Sequence, residues 1–189
     1  NEIRNNGGFG FRQQFQNPHM RLSASISLDE AFAGTSLPLE YLDAEGQTKK
    51  VKVTVPPGAM NGLTLRLQGQ GLQNDTNYPP GDLLIGLSIL PHPIFSAIGI
   101  DLYMKHSLSM VDAALGTSMV IPLLCETPVK ADLAPGTQPN QKIRLKGKGM
   151  PNPNAPTNRG DLYVMVDITI RTVLTEKQRE ILEELKGIS

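Results

Sequence analysis

The segment VKVTVPPGAMNGLTLRLQGQGL, residues 51–72, returns later in the chain as VKADLAPGTQPNQKIRLKGKGM, residues 129–150. At a constant shift, the two segments share a Pro-Gly pair, an apolar-Arg-apolar triplet and the pattern G-x-G. The tripeptide Gly81-Asp82-Leu83 follows the first segment, and Gly160-Asp161-Leu162 follows the second. The chain is therefore predicted to be a tandem duplication. A repeat this long forms two globular copies rather than a solenoid, whose units have ~20–50 residues.

Strands are predicted wherever apolar residues alternate with polar ones, because a period of two places one face of a strand on a core. This alternation runs from Met20 to Leu28, from Val51 to Val55, from Leu63 to Leu67 and from Leu83 to Ile89. We expect half-buried antiparallel strands. The predicted fold class is mainly all-β, with two tandem, similar β-sandwich or barrel domains and a C-terminal dimerisation helix.

Helices are predicted in three places. Each copy contains a short helical stretch, DEAF at 29–32 and VDAAL at 111–115, followed by a glycine that can take a positive φ. At the C-terminus, Thr175 and Gln178 have the capping-box spacing, and Gly187 is placed to end the helix. The apolar stripe of this helix contains Ile181, Leu182 and Leu185. It must dock either on its own domain or on a second copy of the chain.

The domain organisation follows from these patterns. We expect a flexible segment containing glycine and phenylalanine at 1–18, a first β-domain at 19–98, a second at 99–171 and the dimerisation helix at 172–189. The proline-rich stretch LPHPIFSAIG at 90–99 is predicted to be a stiff connector. The chain starts with Asn1 rather than methionine, which is compatible with a preceding portion.

Composition excludes several classes of function. The 18 Lys and Arg residues balance the 18 Asp and Glu residues, so no overall field attracts nucleic acid or an anionic membrane. No apolar run approaches the ~20 residues of a membrane-spanning helix, and the first residues lack the basic-then-apolar layout of a secretion signal. The single cysteine, Cys125, is predicted to be a small buried hydrophobe. We expect a cytoplasmic protein without a cofactor or a metal.

Residues suited to catalysis occur without a matching arrangement. The two G-x-G patterns lack the spacing of a phosphate-binding loop, and turn glycines explain them. The three histidines, His19, His92 and His106, lack metal-ligand spacing. Asp82 and Asp161 occupy equivalent positions of the duplication, so each is predicted to bind the backbone amides of the same turn in its own copy. The sequence therefore predicts no enzyme, and function should lie in surfaces and grooves.

Four longer motifs occur in a fixed order: GDLLIGLSILPHPIF at 81–95, DLYMKHSLSMVDAALGTSMVIPLL at 101–124, IRLKGKGMPNPNAPTNRGDLYVMVDITI at 143–170, and LTEKQREILEEL at 174–185. Together they resemble the C-terminal substrate-binding region of DnaJ-type co-chaperones, the forty-kilodalton heat-shock family. The resemblance implies two similar β-sandwich-like barrels and a C-terminal helix that dimerises the protein into a clamp. It also implies binding of non-native client segments, in protein folding and the stress response, for transfer to the seventy-kilodalton heat-shock chaperone.

Two departures from the family pattern narrow the type. Zinc-bearing members insert four C-x-x-C-x-G-x-G motifs in the first barrel, whereas the stretch between Tyr41 and Lys50 is only LDAEGQTK here. The resemblance is therefore to the zinc-free type. The His-Pro-Asp loop of the family's J domain is absent, because Ile94 follows His92-Pro93.

The resemblance also implies the position of the client groove on the first barrel. The matching positions are Leu22, Ala24, Leu39, Tyr41 and Ile85. The alternative for Leu22 and Ala24 is that they form part of the core, because they share parity with Ile26 and Leu28.

Some zinc-free members clamp the acidic Glu-Glu-Val-Asp tail of the partner chaperone with lysines. The matching positions hold Leu37 and Glu40 here, with only Lys49 and Lys50 nearby, which argues against this clamp. A scaffold module that binds one folded partner remains the alternative function.

Overall fold

The computed structural model describes residues 17–43 and 45–188. The elements in this part of the chain are β1 Met20–Ile26, α1 Leu28–Ala33, β2 Thr35–Leu42, β3 Thr48–Val55, β4 Thr64–Leu67, β5 Leu83–Ile89, β6 Ser96–Ile98, β7 Asp101–Ser109, α2 Met110–Leu115, β8 Thr117–Leu123, β9 Glu126–Leu133, β10 Lys142–Leu145, β11 Pro151–Asn152, β12 Ala155–Arg159, β13 Leu162–Thr169 and α3 Glu176–Ile188. The mainly all-β class is confirmed, with several sheets consistent with β-sandwich domains and a short C-terminal helix.

The chain forms two compact units. Among the described residues, unit 1 contains those up to Ile26 together with those in Ser36–Val55 and Met60–Ile89, and unit 2 contains Ser27–Thr35, Pro56–Ala59 and those from Leu90 onward. Helix α1 therefore belongs to unit 2 by its contacts, although its sequence lies in the first copy of the duplication. The domain boundaries expected from the sequence stay a prediction.

Unit 1 is built from a three-stranded sheet in the order β1-β5-β4 and a two-stranded sheet of β2 and β3. Its hydrophobic core draws on both sheets, with Ile26, Leu83 and Ile85 from the first and Val53 and Val55 from the second. The predicted antiparallel pairing is found between β4 and β5 but is wrong for β1, which runs parallel to β5. Alternation shows which face of a strand is buried and carries no information about the direction of its neighbour.

Unit 2 repeats this arrangement and extends it. Its main sheet has the order β10-β13-β7-β6, in which β13 runs parallel to β7 and both β10 and β6 pair antiparallel with their neighbours. Strands β8 and β9 form an antiparallel pair, as do β11 and β12. Residues 96–98, predicted to belong to a connector, thus form the edge strand of this sheet. His92 shapes the turn before it, because its Nδ1 accepts the N–H groups of Ile94 and Phe95.

The short helices lie where they were predicted and end at the predicted glycines, although each begins one residue earlier than expected and α1 also ends one residue later. Ser27 caps α1 in a reciprocal capping box with Glu30, and Ser109 caps α2 by accepting the N–H of Asp112. Both helices end at glycines with positive φ, 78° at Gly34 and 81° at Gly116, a conformation that side chains disfavour.

The C-terminal helix confirms one predicted boundary and corrects the other. The predicted box of Thr175 and Gln178 is present, with each residue's N–H bonded to the other's side chain. The prediction that Gly187 ends α3 is wrong, because the helix continues to Ile188.

Contacts of unit 1 with the chain ahead of β1 include those of Asn17. The Asn17 side chain is buried; its amide donates to the carbonyls of Asp75, Tyr78 and Pro79, and its oxygen accepts the N–H groups of Asn74 and Asp75. The predicted flexible segment otherwise lies outside the described residues. Among those described, no helix is long and apolar enough to cross a bilayer.

Candidate functional site

Asp82 and Asp161 each close the same turn in their own unit, as predicted. Asp82 Oδ1 accepts the N–H of Gly69 at 3.0 Å, and Asp161 Oδ1 accepts the N–H of Gly147 at 2.7 Å. The second oxygen of each carboxylate binds an arginine, with the Nε of Arg66 and that of Arg144 both at 2.6 Å. The sequence did not predict the arginine partners, although both arginines recur at the same place in the repeat.

The glycines of the two G-x-G patterns have separate tasks in this turn. The first glycine, Gly69 or Gly147, has a positive φ of 65° or 69°. The second, Gly71 or Gly149, leaves no room for a side chain, because a Cβ there would lie 2.5 Å from backbone atoms of the strand opener that contains the aspartate. The repeated G-x-G and Gly-Asp motifs are therefore two halves of one structural device rather than a phosphate site.

Because of these contacts, the stability of the folded chain depends on pH. The Gly69 and Gly147 N–H groups, and next the guanidinium groups of Arg66 and Arg144, hold the pKa values of Asp82 and Asp161 below their ordinary range against an opposing effect of burial. A carboxylate whose pKa is lower in the folded chain stabilises it above the unfolded pKa of about 3.9, and this contribution is lost as the pH falls further.

We therefore expect the free energy of unfolding to decrease below about pH 4, and Asp82→Asn with Asp161→Asn to flatten this decrease. Urea unfolding between pH 3 and pH 7 measures it. Asp43 and Glu126, whose pKa values are also lowered, contribute to the slope that remains in this double variant. An equally steep acid slope in the double variant would contradict the assignment.

Three of the five predicted groove residues lie together on one face of the unit 1 sheet. Leu22 of β1 is the register partner of Ile85 of β5, and Ala24 pairs with Leu87 one step along. Ile85 is fully buried and Ala24 is buried, so these two form part of the core, while Leu22 is half-buried. Of these three, Leu22 has surface available to a ligand.

The other two predicted groove residues lie on one face of β2. Tyr41 is buried, and its hydroxyl donates to the carbonyl of Gln70 at 2.6 Å, so it ties the β2–β3 hairpin to the loop after β4. Leu39 is half-buried. Near these residues, Lys50 is paired with Glu40 at 2.6 Å and Lys49 with Asp43 at 3.5 Å. Both lysines that were candidates for an acidic tail already have carboxylate partners.

The predicted dimer residues lie on a helix that buries none of its described side chains. Ile181 and Leu185 are more than half exposed, and Leu182 is half-buried. Ile181 and Leu182 line a cleft of ≈ 520 Å³ together with residues of α2, such as Met110, and with the segment that starts at the end of β13 and includes Ile170.

The prediction that Cys125 is buried was wrong. Cys125 is exposed at a turn with a positive φ of 55° rather than buried. Desolvation, and then a bond from its thiol to Asp29, raise the pKa of Cys125, so the thiol is a poor nucleophile.

Arg159 donates to the carbonyl of Gly149 and to Glu126, and its guanidinium lies 4.9 Å from the ring centre of Phe32 on α1. No feature of the sequence predicted the contact between Arg159 and Phe32. In residues 17–43 and 45–188, no group of three or more His, Cys, Asp and Glu side chains is arranged to hold a metal ion.

Comparison with known proteins gives consistent matches over most of the chain. The family described as the DnaJ C terminal domain matches residues 20–171. Chaperone protein DnaJ 2 of Thermus thermophilus is 37% identical over 179 residues, 95% of this chain and 59% of that protein. Chaperone protein DnaJ of Caldicellulosiruptor bescii is 40% identical over 141 residues, 75% of this chain and 36% of that protein.

A third relative has a different name. The Curved DNA-binding protein of Coxiella burnetii is 34% identical over 184 residues, which are 93% of this chain and 56% of that protein. The chain thus spans between 36% and 59% of the length of these three relatives.

Proposed function

Because the chain belongs to the DnaJ C-terminal domain family, we propose that it has a chaperone role. In this role it binds non-native polypeptide segments at unit 1 and holds them for transfer to the seventy-kilodalton heat-shock chaperone. We also propose that the protein is located in the cytoplasm and that its activity is binding rather than catalysis. The arginine and glycine partners of Asp82 and Asp161 support it, because they give the two buried carboxylates a structural task.

The observation that carries client binding is the free edge of β1. In the described residues, β1 pairs with β5 alone, so the backbone groups along its outer edge have no strand partner. An extended peptide can add to such an edge by main-chain hydrogen bonds, while pockets for alternate side chains give selectivity. Half-buried Leu22 on β1 and Leu39 on β2 supply apolar contacts.

Replacement of Leu39 by serine should weaken client binding. Burying a leucine side chain contributes about 1.5–3 kcal/mol, so we expect affinity for an apolar peptide to fall by about tenfold for this half-buried residue. Fluorescence anisotropy with a labelled apolar peptide measures the change, and suppression of aggregation of a denatured protein without ATP reports the activity.

Leu42→Ser is the matched control, because Leu42 lies at the opposite parity of β2 and is exposed. Equal losses of peptide affinity in both variants would contradict the assignment of Leu39 to the client site.

A peptide array distinguishes the chaperone from the alternative function of a scaffold. Broad affinity for apolar segments supports a chaperone, and one selective ligand supports a scaffold.

The dimer is the second part of the proposal, and the duplication supports it. In α1, Leu28 at the first helical position is 3% exposed, whereas its equivalent in α2, Met110, is 36% exposed. Leu115 at the end of α2 is 73% exposed, whereas its equivalent at the end of α1 is the much smaller Ala33. The apolar surface of α2 continues through the cleft to α3. Contiguous apolar surface of this kind is typical of an interface, and a second copy of the chain is its proposed partner.

A further inference from the structure

Unit 2 has a cleft on the face of its main sheet that points away from the core. Its volume is ≈ 560 Å³, and it lies between the sheet and the segment from His92 to Ile98. The floor contains the rings of Tyr103 and Tyr163, which stack with centres 5.1 Å apart and planes 16° from parallel. Met165 continues the floor, and Ile98 on the rim is 66% exposed. The cleft is therefore open, apolar and partly aromatic.

Two lysines lie on either side of Met165. The register places Lys105 of β7 and Lys142 of β10 directly beside it, on the two neighbouring strands. Two strand spacings separate them, about 10 Å. Neither lysine has an ion pair within the described part of the chain, and the residues that line the cleft include no carboxylate. A negative group above Met165 would lie between two positive charges.

The first copy of the duplication shows that the sheet does not need these residues. In unit 1, the row equivalent to Lys105, Met165 and Lys142 consists of Ser23, Gly86 and Thr64. The equivalents of Tyr103 and Tyr163 are Arg21 and Leu84. The same strand order thus forms without the aromatic pair and without the lysines. The strand order that the two units share therefore does not account for the presence of these residues in unit 2.

We propose that this cleft binds an acidic peptide segment that carries an aromatic or large apolar side chain. The side chain packs on the tyrosine pair, where an aromatic contact adds to the burial of apolar surface. The Asp or Glu side chain of the segment lies between Lys105 and Lys142. This surface is separate from the one proposed for clients in unit 1.

The charges around the cleft favour this partner over two others. Asp101 and Asp167 lie on the same face along β7 and β13, beyond the cleft, and limit the positive surface to the two lysines. This short positive surface suits one or two carboxylates, whereas a nucleic-acid backbone that followed the strands would place phosphates over both aspartates. The chain's own residues 1–16 contain three phenylalanines but two arginines against one glutamate, so their charge does not match two lysines. An acidic peptide meets both requirements.

The test is fluorescence anisotropy of the full chain with a labelled peptide, GSDEFDEGS. We expect saturable binding that falls by at least about tenfold in the double variant Lys105→Ser with Lys142→Thr, residues that unit 1 carries at the equivalent positions. Tyr163→Leu should also weaken binding. Lys130→Glu, on β9 and outside the cleft, is the charge control and should bind as the wild type does. Leu39→Ser should leave acidic-peptide binding intact, which separates this site from the client site.

Several results would overturn the proposal. These are no binding of the peptide at millimolar concentration, equal binding by the double lysine variant, or equal binding of a peptide with lysines in place of its acidic residues. Tighter binding of single-stranded DNA at the same residues would assign the cleft to nucleic acid instead. Displacement of the acidic peptide by a synthetic peptide of residues 1–16 would assign it to the chain's own N-terminal segment.

Discussion

Replacement of Gly160 by alanine is expected to remove most of the stability of unit 2. A Cβ at this position would lie 2.1 Å from the carbonyl oxygen of Ile100 and 2.5 Å from its carbonyl carbon. Both are backbone atoms, so no side-chain rotation relieves the overlap. The Gly160 backbone also bonds Gly149 and Met150, so a shift of the strand opener disturbs the whole turn. Overpacking commonly costs about 1–3 kcal/mol and occasionally more, and we expect at least about 3 kcal/mol here.

Urea unfolding followed by circular dichroism measures this loss. Gly86→Ala is the matched control, because this glycine also lies in or next to a central strand, but its added Cβ would meet only Leu22 O, at 3.9 Å. That distance is an ordinary contact, and we expect a change within about 1 kcal/mol. A Gly160→Ala chain as stable as the Gly86→Ala chain would show that the close approach does not constrain the turn.

The double variant Ile181→Asp with Leu185→Asp is expected to be monomeric at micromolar concentration. Each apolar side chain buried in an interface contributes about 1.5–3 kcal/mol, and the symmetry of a dimer doubles the loss to four side chains. The sum, about 6–12 kcal/mol, is comparable with the whole binding free energy of a dimer with a micromolar to nanomolar dissociation constant. Light scattering should show half the wild-type mass, with an unchanged far-ultraviolet circular dichroism spectrum.

The control for this experiment is Arg179→Gln with Lys186→Gln. It changes the net charge of α3 by the same amount, at positions on a different side of the helix from Ile181 and Leu185, and should leave the mass unchanged. A wild-type chain that is already monomeric, or an aspartate variant that keeps the full mass, would mean that the stripe packs on its own domain. That outcome would not contradict the proposal that unit 1 binds client segments.

Much of the local structure could be predicted from particular residues. The alternation of Val51, Val53 and Val55 predicts a strand because side-chain direction along an extended chain has a period of two, and β3 confirms it. The spacing of Thr175 and Gln178 predicts a helix start because their bonds span only three residues. The duplication also allowed one tertiary contact to be predicted. Asp82 and Asp161 were expected to bind the same turn in their own copies, because equivalent residues of a duplication make equivalent contacts.

The candidate site was less accessible to prediction. Ile85 and Leu22 have the same parity and lie side by side, yet Ile85 is fully buried and Leu22 is half-buried. Their difference depends on what covers each of them. The tyrosine pair of unit 2 was missed for the same reason, because Tyr103 and Tyr163 are 60 residues apart and meet only through the parallel register of β7 and β13.

The sequence by itself therefore determined the duplication, the strands, the short helices with their caps, the family resemblance and the structural role of the paired motifs. Only the tertiary structure decided that β1 runs parallel to β5, that α1 packs within unit 2, and which apolar side chains remain exposed. The physical reason is range. Caps, turns and periodicity arise from contacts between near neighbours, whereas strand direction and burial depend on contacts between residues far apart along the chain.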